Sequence, residues 1–426
     1  MKLYQSTDDY WNDLGERSQL PEGFQTAVTQ LKFIPKEMVT NEPLPMNLNL
    51  ILLDEASTGF AAVFTQNAFP GYPVIIGRRR LKESTAIRGI LINNKIANVL
   101  CAEGEEKANT LCREIAQLTG ASEEQFFPSS TGIIGWELPC DDIKRALPSL
   151  VKSLSRKDAR SLAKGIMTTD SYPKVRSLCY GNCRITAVAK GAGMIEPNMA
   201  TMLCFIMTDA NHSKEELQQC LQDAVGDSFN SISVDSDQST SDSVIILSSQ
   251  KKKSNLQDFK ECLNRLCKDL AQDIVRNGEG TSHVIELTVQ EASHFDMAKA
   301  LGKNVINSPL VKTAIYGNDP NVGRIVSSLG DCAGNAGFLL DAQKLTIKIG
   351  DITVYSQGSF QLTPDKEKAL NQYLRDCSYD EHSLGYPQHD KKVEILVKLG
   401  LGIHTATVTG SDLSHQYINE NADYRS

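Results

Sequence analysis

Six consecutive apolar residues, Met202 to Met207, follow directly on a loop of small and turn-forming residues, KGAGMIEPNMAT (190–201). An apolar run with no polar interruption reads as a strand buried in a core. The loop before it is broken at Gly191, Gly193 and Pro197. Further strand-like runs lie at Leu50–Leu53, Gly89–Asn93, Ile185–Val188, Ser243–Leu247, Val284–Val289 and Leu345–Ile349. Val393–Leu399 and Ile403–Val408 flank Gly400-Leu401-Gly402 and read as a hairpin. Helical spacing marks Glu105–Leu118, closed by Gly120, and Leu256–Val275; Ser213 to Glu216 is a capping box that opens a third helix. Strands and helices mix without a strict βαβ rhythm, which predicts mixed α/β architecture with helices on the outer faces of sheets. No repeat or low-complexity linker marks a domain boundary.

At 426 residues the chain is long enough for two or three domains, and 41% hydrophobic with 23% charged residues is a globular composition. A formal charge of -8 argues against a nucleic-acid partner. The short basic runs at Arg78–Arg80 and Lys251–Lys253 read as solvated turns. No apolar stretch approaches the ~18 residues of a membrane span. The polar, acidic first residues do not resemble a secretory or transit peptide. Eleven cysteines without CxxC spacing suit reduced thiols, so a cytoplasmic location is expected. The 7 histidines show no metal-ligand spacing, so no metal is expected.

Thr201 stands one residue before the apolar run. A threonine hydroxyl becomes a useful nucleophile only with a base in hydrogen-bond reach. Cutting the peptide bond before it would supply one, the threonine's own α-amino group, whose pKa of ~7.7–8.0 leaves much of it neutral near pH 7. Such a residue needs a firm seat, which the start of a core strand provides, and a strained or mobile loop before it. The same segment, taken alone, also fits an ordinary loop with Thr201 as a β-former.

The block KGAGMIEPNMATM resembles the cleavage segment of the ornithine acetyltransferase (glutamate N-acetyltransferase) family. Further blocks resemble that family in the same order: FTQN (64–67), SSTGIIG (129–135), IMTTDSYPK (166–174) and FNSISVDSDQSTSD (229–242). They continue with QDIVRNGEGTSH (272–283), AIYGNDPNVGRI (314–325) and NADYRS (421–426). The resemblance implies an α/β/β/α sandwich and self-cleavage between Ala200 and Thr201. Residues 1–200 would then be an α chain and residues 201–426 a β chain, assembled as α₂β₂. It implies Thr201 as nucleophile, and the Thr131 hydroxyl with the Gly132 N–H as oxyanion hole. Thr168 (or its neighbour Thr169), Lys190, Glu279, Asn421 and Ser426 would contact substrate. The implied reaction is ping-pong transfer of acetyl from N-acetylornithine to glutamate in arginine biosynthesis, without cofactor. Acetyl-CoA is a further donor for some members.

Four positions depart from the family pattern. Lys95 replaces a glycine, Val322 replaces a tryptophan and is expected to remodel the pocket or its wall, Glu196 adds a charge beside the cleavage loop, and Ser426 replaces a threonine, a minor change. Ser171–Arg184 is also shorter than usual. These departures leave open a specialised acetyltransferase for another amino acid, a self-cleaving amidase or aminopeptidase-like hydrolase, and a non-catalytic relative.

Overall fold

The computed structural model describes residues 3–38, 42–196, 202–380 and 385–422. Strands are numbered in chain order. A four-stranded sheet holds β1 (Phe24–Phe33), β2 (Leu44–Ser57), β4 (Ile87–Asn93) and β5 (Phe126–Ser130), in that order. A five-stranded sheet runs β3 (Phe60–Phe64), β10 (Ser243–Lys252), β8 (Leu203–Ala210), β7 (Cys183–Lys190) and β6 (Lys174–Tyr180).

The apolar run of β8 is explained by what covers it. Leu203, Phe205 and Met207 point into a core shared with Ile51, Ile90 and Phe127 of the four-stranded sheet. Cys204 and Ile206 point the opposite way, against the helices Lys214–Gly226 and Leu256–Arg276. Side chains alternate along a strand, so a strand covered on both faces loses the alternating polar positions that would mark a solvent face. The other face of the four-stranded sheet packs Leu48, Leu50 and Leu52 on Leu111, Ile115, Ile143 and Leu147 of the helices Gly104–Thr119 and Cys140–Lys152. The layers are therefore helix, sheet, sheet, helix: the expected α/β/β/α sandwich.

The helices stop and start where the sequence indicates. Ser213 accepts from the Glu216 N–H while the Glu216 carboxylate accepts from the Ser213 N–H. Gly120 closes its helix in the left-handed conformation at φ 68°. The short Ser171–Arg184 stretch reflects a tight hairpin, in which Tyr180 pairs directly with Cys183. Arg78–Arg80 lies in the helix Tyr72–Glu83 rather than in a solvated turn, with Arg80 buried and paired to Glu123 at 3.2 Å. Lys251 and Lys252 end β10, where Lys252 meets Asp209 at 2.8 Å. No described helix is long and apolar enough to cross a membrane.

A third sheet, not foreseen as a separate layer, follows the sandwich. Its order is β14 (Ser359–Phe360), β13 (Ile352–Ser356), β12 (Thr346–Ile349), β15 (Val393–Lys398), β11 (Val284–Ala292), β16 (His404–Ser411) and β9 (Ile232–Ser233). The helices Phe295–Asn307, Val322–Ala336 and Pro364–Asp376 contribute to its core. The expected hairpin of Val393–Leu399 with Ile403–Val408 does not form. β11 lies between them, parallel to β15 and antiparallel to β16. The Gly400–Gly402 link passes over the end of β11, with the Leu401 and Gly402 N–H groups both donating to the Glu291 carbonyl. Ile285, Leu287 and Val289 make β11 apolar enough to occupy the sheet interior.

Lys312 ties the end of β16 to the residue that follows β9. It is 4% exposed, and its ammonium donates to the Val234 carbonyl at 2.7 Å and to the Ser411 carbonyl. Burial pushes it down to about 8, against the pull of Asp412, Asp235 and Glu196. Lys312→Met should cost about 2–4 kcal/mol in urea denaturation at pH 7, because two carbonyls lose their donor. The folded lysine releases its proton before the unfolded one, so native stability rises with pH from about 8 to about 10.4. The gap to the variant should widen over that window.

Candidate active site

β7 and β8 are antiparallel and β8 and β10 are parallel, so the end of β7 meets the starts of β8 and β10 at one edge of the five-stranded sheet. The end of β5 reaches the same place from the facing sheet. A cleft of about 260 Å³ opens there, lined among others by Thr131, Gly132, Thr168, Thr169, Lys190 and Glu279. Asn421, Met202 and Asp242 complete that group. The residues singled out by sequence therefore converge wherever they are described. Ala200, Thr201 and Ser426 lie outside the described residues.

Thr131 and Gly132 leave β5 in a tight crossing with residues 93–96. The Thr131 N–H donates to the Asn93 carbonyl at 3.1 Å, and the Ile133 N–H to the Lys95 carbonyl at 2.9 Å. Gly132 has φ 129°, and a Cβ there would stand 2.2 Å from the Lys95 carbonyl carbon. Only glycine fits, for conformation and for space. Lys95 itself takes φ 73°, the left-handed region in which glycine is at home, so the departure at Lys95 falls on a backbone-permissive position as expected. The Lys190 ammonium donates to the Thr131 hydroxyl oxygen at 3.4 Å. Because that oxygen acts as acceptor, the Thr131 proton is left to donate into the cleft.

Glu279, which lines the same cleft, is 7% exposed and accepts from the Asn421 amide at 2.8 Å. Its carboxylate lies flat on Gly193, where a Cβ would meet Oε2 at 2.2 Å. The carboxyl-terminal helix His415–Ala422 is seated by Ser414, which donates to the Gly280 carbonyl at 2.6 Å, and by Tyr417, which donates to Asp235 at 3.2 Å. The Lys190 ammonium and the Glu279 carboxylate thus line one cleft with Thr131, Gly132 and the buried Asp242. Such a cleft suits an amino acid bearing both charges and a carbonyl that gains negative charge during reaction.

Residues 191–196, which follow β7, are firmly tied. Asp235 accepts from the Met194 and Ile195 N–H groups at 2.6 and 2.7 Å, and the Glu279 N–H donates to the Ala192 carbonyl at 2.9 Å. Within this stretch Met194 is a non-glycine residue held at φ 55°, a strained position. Glu196 is not a loose charge: Lys303 stands 3.4 Å away, and Asn307 donates to it at 2.8 Å. Val322 corrects an expectation. It is 1% exposed, belongs to the core of the third sheet and does not line the cleft. Its position at the start of the Val322–Ala336 helix buries it against the sheet instead.

Sequence reading missed the residues beneath the cleft. Asp170 accepts from the Thr168 N–H at 3.0 Å, the Gly191 N–H at 2.8 Å and the Lys174 ammonium at 2.5 Å. Lys174 also donates to the Asn277 side chain at 2.5 Å. Three cleft segments, those of Thr168, Lys190 and Glu279, hang on this one buried pair. Asp170 and Lys174 stand four residues apart within IMTTDSYPK, but their spacing does not show that they meet Gly191 and Asn277. Burial would raise the Asp170 carboxyl; Lys174, Lys190 and the Gly191 N–H outweigh it and hold it at about 2. A Ser282–His283–Asp412 cluster is not a second nucleophile site. His283 is 1% exposed, with Nδ1 on Asp412 at 2.8 Å and Nε2 on the Leu374 carbonyl at 3.1 Å.

Asp170→Asn should destabilise the protein by about 3–5 kcal/mol at pH 7, as an unpaired buried lysine remains. A carboxyl held low in the folded state stabilises above its unfolded pKa of about 3.9 and loses that contribution as pH falls toward about 2. Denaturation at pH 7 and near pH 2 should therefore show a gap between the two proteins that closes in acid.

The sequence profile of the ArgJ family matches residues 39–426. The chain is 38% identical over 378 residues to the arginine biosynthesis bifunctional protein ArgJ 2 of Clostridium acetobutylicum, covering 88% of this chain and 92% of that protein. It is 36% identical over 410 residues to the protein of the same name from Nostoc sp., covering 96% and 98%. The crystal structure of the arginine biosynthesis bifunctional protein argJ of Bacillus halodurans matches 52% of this chain and 99% of its own, with 33% identity and a TM-score of 0.45. The family expected from the sequence blocks is the one found: the chain belongs to the ArgJ family.

Proposed function

We propose that the protein is a self-cleaving acetyltransferase of arginine biosynthesis that moves the acetyl group of N-acetylornithine to glutamate. The observation that carries this reading is the meeting of Thr131 and Gly132 with Lys190 on one wall and Glu279 with Asn421 on another, at the start of β8. Membership of a family whose relatives are named for arginine biosynthesis supports it.

In this reading, cleavage between Ala200 and Thr201 frees an α-amino group. That amine takes the Thr201 hydroxyl proton as the oxygen attacks the acetyl carbonyl. The negative charge of the tetrahedral intermediate is met by the Thr131 hydroxyl and the Gly132 N–H. Such donors act strongly because they are already aimed, and losing one costs about 100–1,000-fold in kcat. Collapse expels ornithine, whose nitrogen takes the proton back. Glutamate then attacks the acetyl-threonine through the reverse steps. Lys190 suits a substrate carboxylate and Glu279 a substrate ammonium, while Thr168, Asn421 and Ser426 supply polar contacts. Acetyl-CoA as an additional donor, assembly of the two chains as α₂β₂ and residence in the cytoplasm belong to the same reading.

Denaturing intact mass tests the first step. Two fragments meeting at Ala200/Thr201 are expected in place of a single 46.8 kDa species. The cut protein should then convert N-acetylornithine and glutamate into ornithine and N-acetylglutamate. Release of free acetate without N-acetylglutamate would make it a hydrolase instead. Gly132→Ala should lower kcat at least ~100-fold. Lys190→Met should mainly raise KM for the amino-acid substrate, as expected for lost binding that serves ground and transition states alike.

A further inference from the structure

The proposed α-amino base does not exist until the chain has been cut. Before the cut, that nitrogen is the amide of the scissile bond and has no basic lone pair. The first reaction of the protein, on its own backbone, therefore needs a different proton carrier. Three side chains lining the cleft carry ionisable groups among the described residues: Lys190, Glu279 and Asp242. Lys190 is engaged with the Thr131 hydroxyl. Glu279 is engaged by Asn421.

Asp242 is different. It is 2% exposed, it lines the cleft, and its Oδ2 is buried without a hydrogen-bond partner. A buried carboxyl oxygen left without a donor is costly, so its persistence calls for a use. Its place in the sheet suggests one. Ser243 pairs with Leu203, and the Ser243 N–H donates to the Met202 carbonyl at 2.9 Å. Asp242 thus precedes the residue bonded to Met202, and Met202 is covalently joined to Thr201.

We propose, resting on the self-cleavage reading above, that Asp242 carries the proton of the cleavage step. The Thr201 oxygen bonds to the Ala200 carbonyl carbon, and its proton passes to the Asp242 carboxylate. The carbon–nitrogen bond then breaks, and the departing nitrogen takes that proton from Asp242 to become the free α-amino group. The product is an ester between Ala200 and Thr201. Water hydrolyses it to the Ala200 carboxyl and the Thr201 hydroxyl, with Asp242 back in its starting form. Burial raises the Asp242 carboxyl well above the usual range, opposed by Ser239, Lys190 and Thr65, which makes the carboxylate a stronger base than an exposed one.

The test is intact mass against time for the full chain and for Asp242→Asn and Asp242→Glu, with thermal melts to establish folding. Wild type is expected to cut between Ala200 and Thr201. Folded Asp242→Asn should remain one chain or cut at least ~100-fold more slowly, and Asp242→Glu should recover most of the rate. Cutting of folded Asp242→Asn at the wild-type rate overturns the assignment while leaving the self-cleavage reading intact. An uncut wild type overturns both. If Asp242→Asn does not fold, Asp242→Ala in sodium formate replaces it. Cutting that depends on formate supports the assignment; cutting without formate overturns it.

Discussion

The buried pair of Asp170 and Lys174, with side chains wholly out of solvent, is the interaction on which the cleft depends. Removing two charges from water is expensive, and a pair of this kind is poor evidence for stability by itself. Its value here is directional. Beyond the pair itself, its hydrogen bonds go to segments that must be placed: Thr168, Gly191 after Lys190, and Asn277 before Glu279. Apolar residues could fill the same volume but could not fix three backbones relative to one another. The chain departs from a purely apolar interior at the point where geometry matters most.

How much of this was legible in the sequence follows from the range of each interaction. Capping at Ser213 and the stop at Gly120 are local and were readable. The apolar run of β8 signalled burial on both faces, and the two-sheet sandwich supplies both covers. The Gly400–Gly402 link misled because a hairpin and a crossover over a third strand begin with the same turn residues. Only the pairing of β11 with both neighbours separates them, and that pairing spans more than a hundred residues.

The candidate site shows the same division. Thr131, Gly132, Thr168, Lys190, Glu279 and Asn421 were named from sequence blocks, and they line one cleft. Asp242 and Asp170 sit inside those very blocks yet were passed over, since an aspartate in a polar stretch reads as solvated. Burial, which the local sequence does not report, changes what each can do. Val322 shows the reverse error: that departure looked consequential at the site but belongs to a different core. Glu196, beside the cleavage loop as read from the sequence, is matched by Lys303 and Asn307.

The five-stranded sheet draws β3, β6 and β7 from before residue 200 and β8 and β10 from after residue 201. β8 lies between β7 on one side and β10 on the other, so the Ala200/Thr201 bond joins parts that are already interwoven. Severing it removes one covalent link and leaves the strand pairing of the sheet in place. After the proposed cut the two pieces would stay together, because neither could leave without tearing open the sheet they share. Yet the same break turns a folding reaction within one molecule into an encounter between two. A chain cut in this way keeps its shape through the memory of how it was made: once melted, its halves must find each other at the low concentration of separate solutes, a search that the intact precursor never faced.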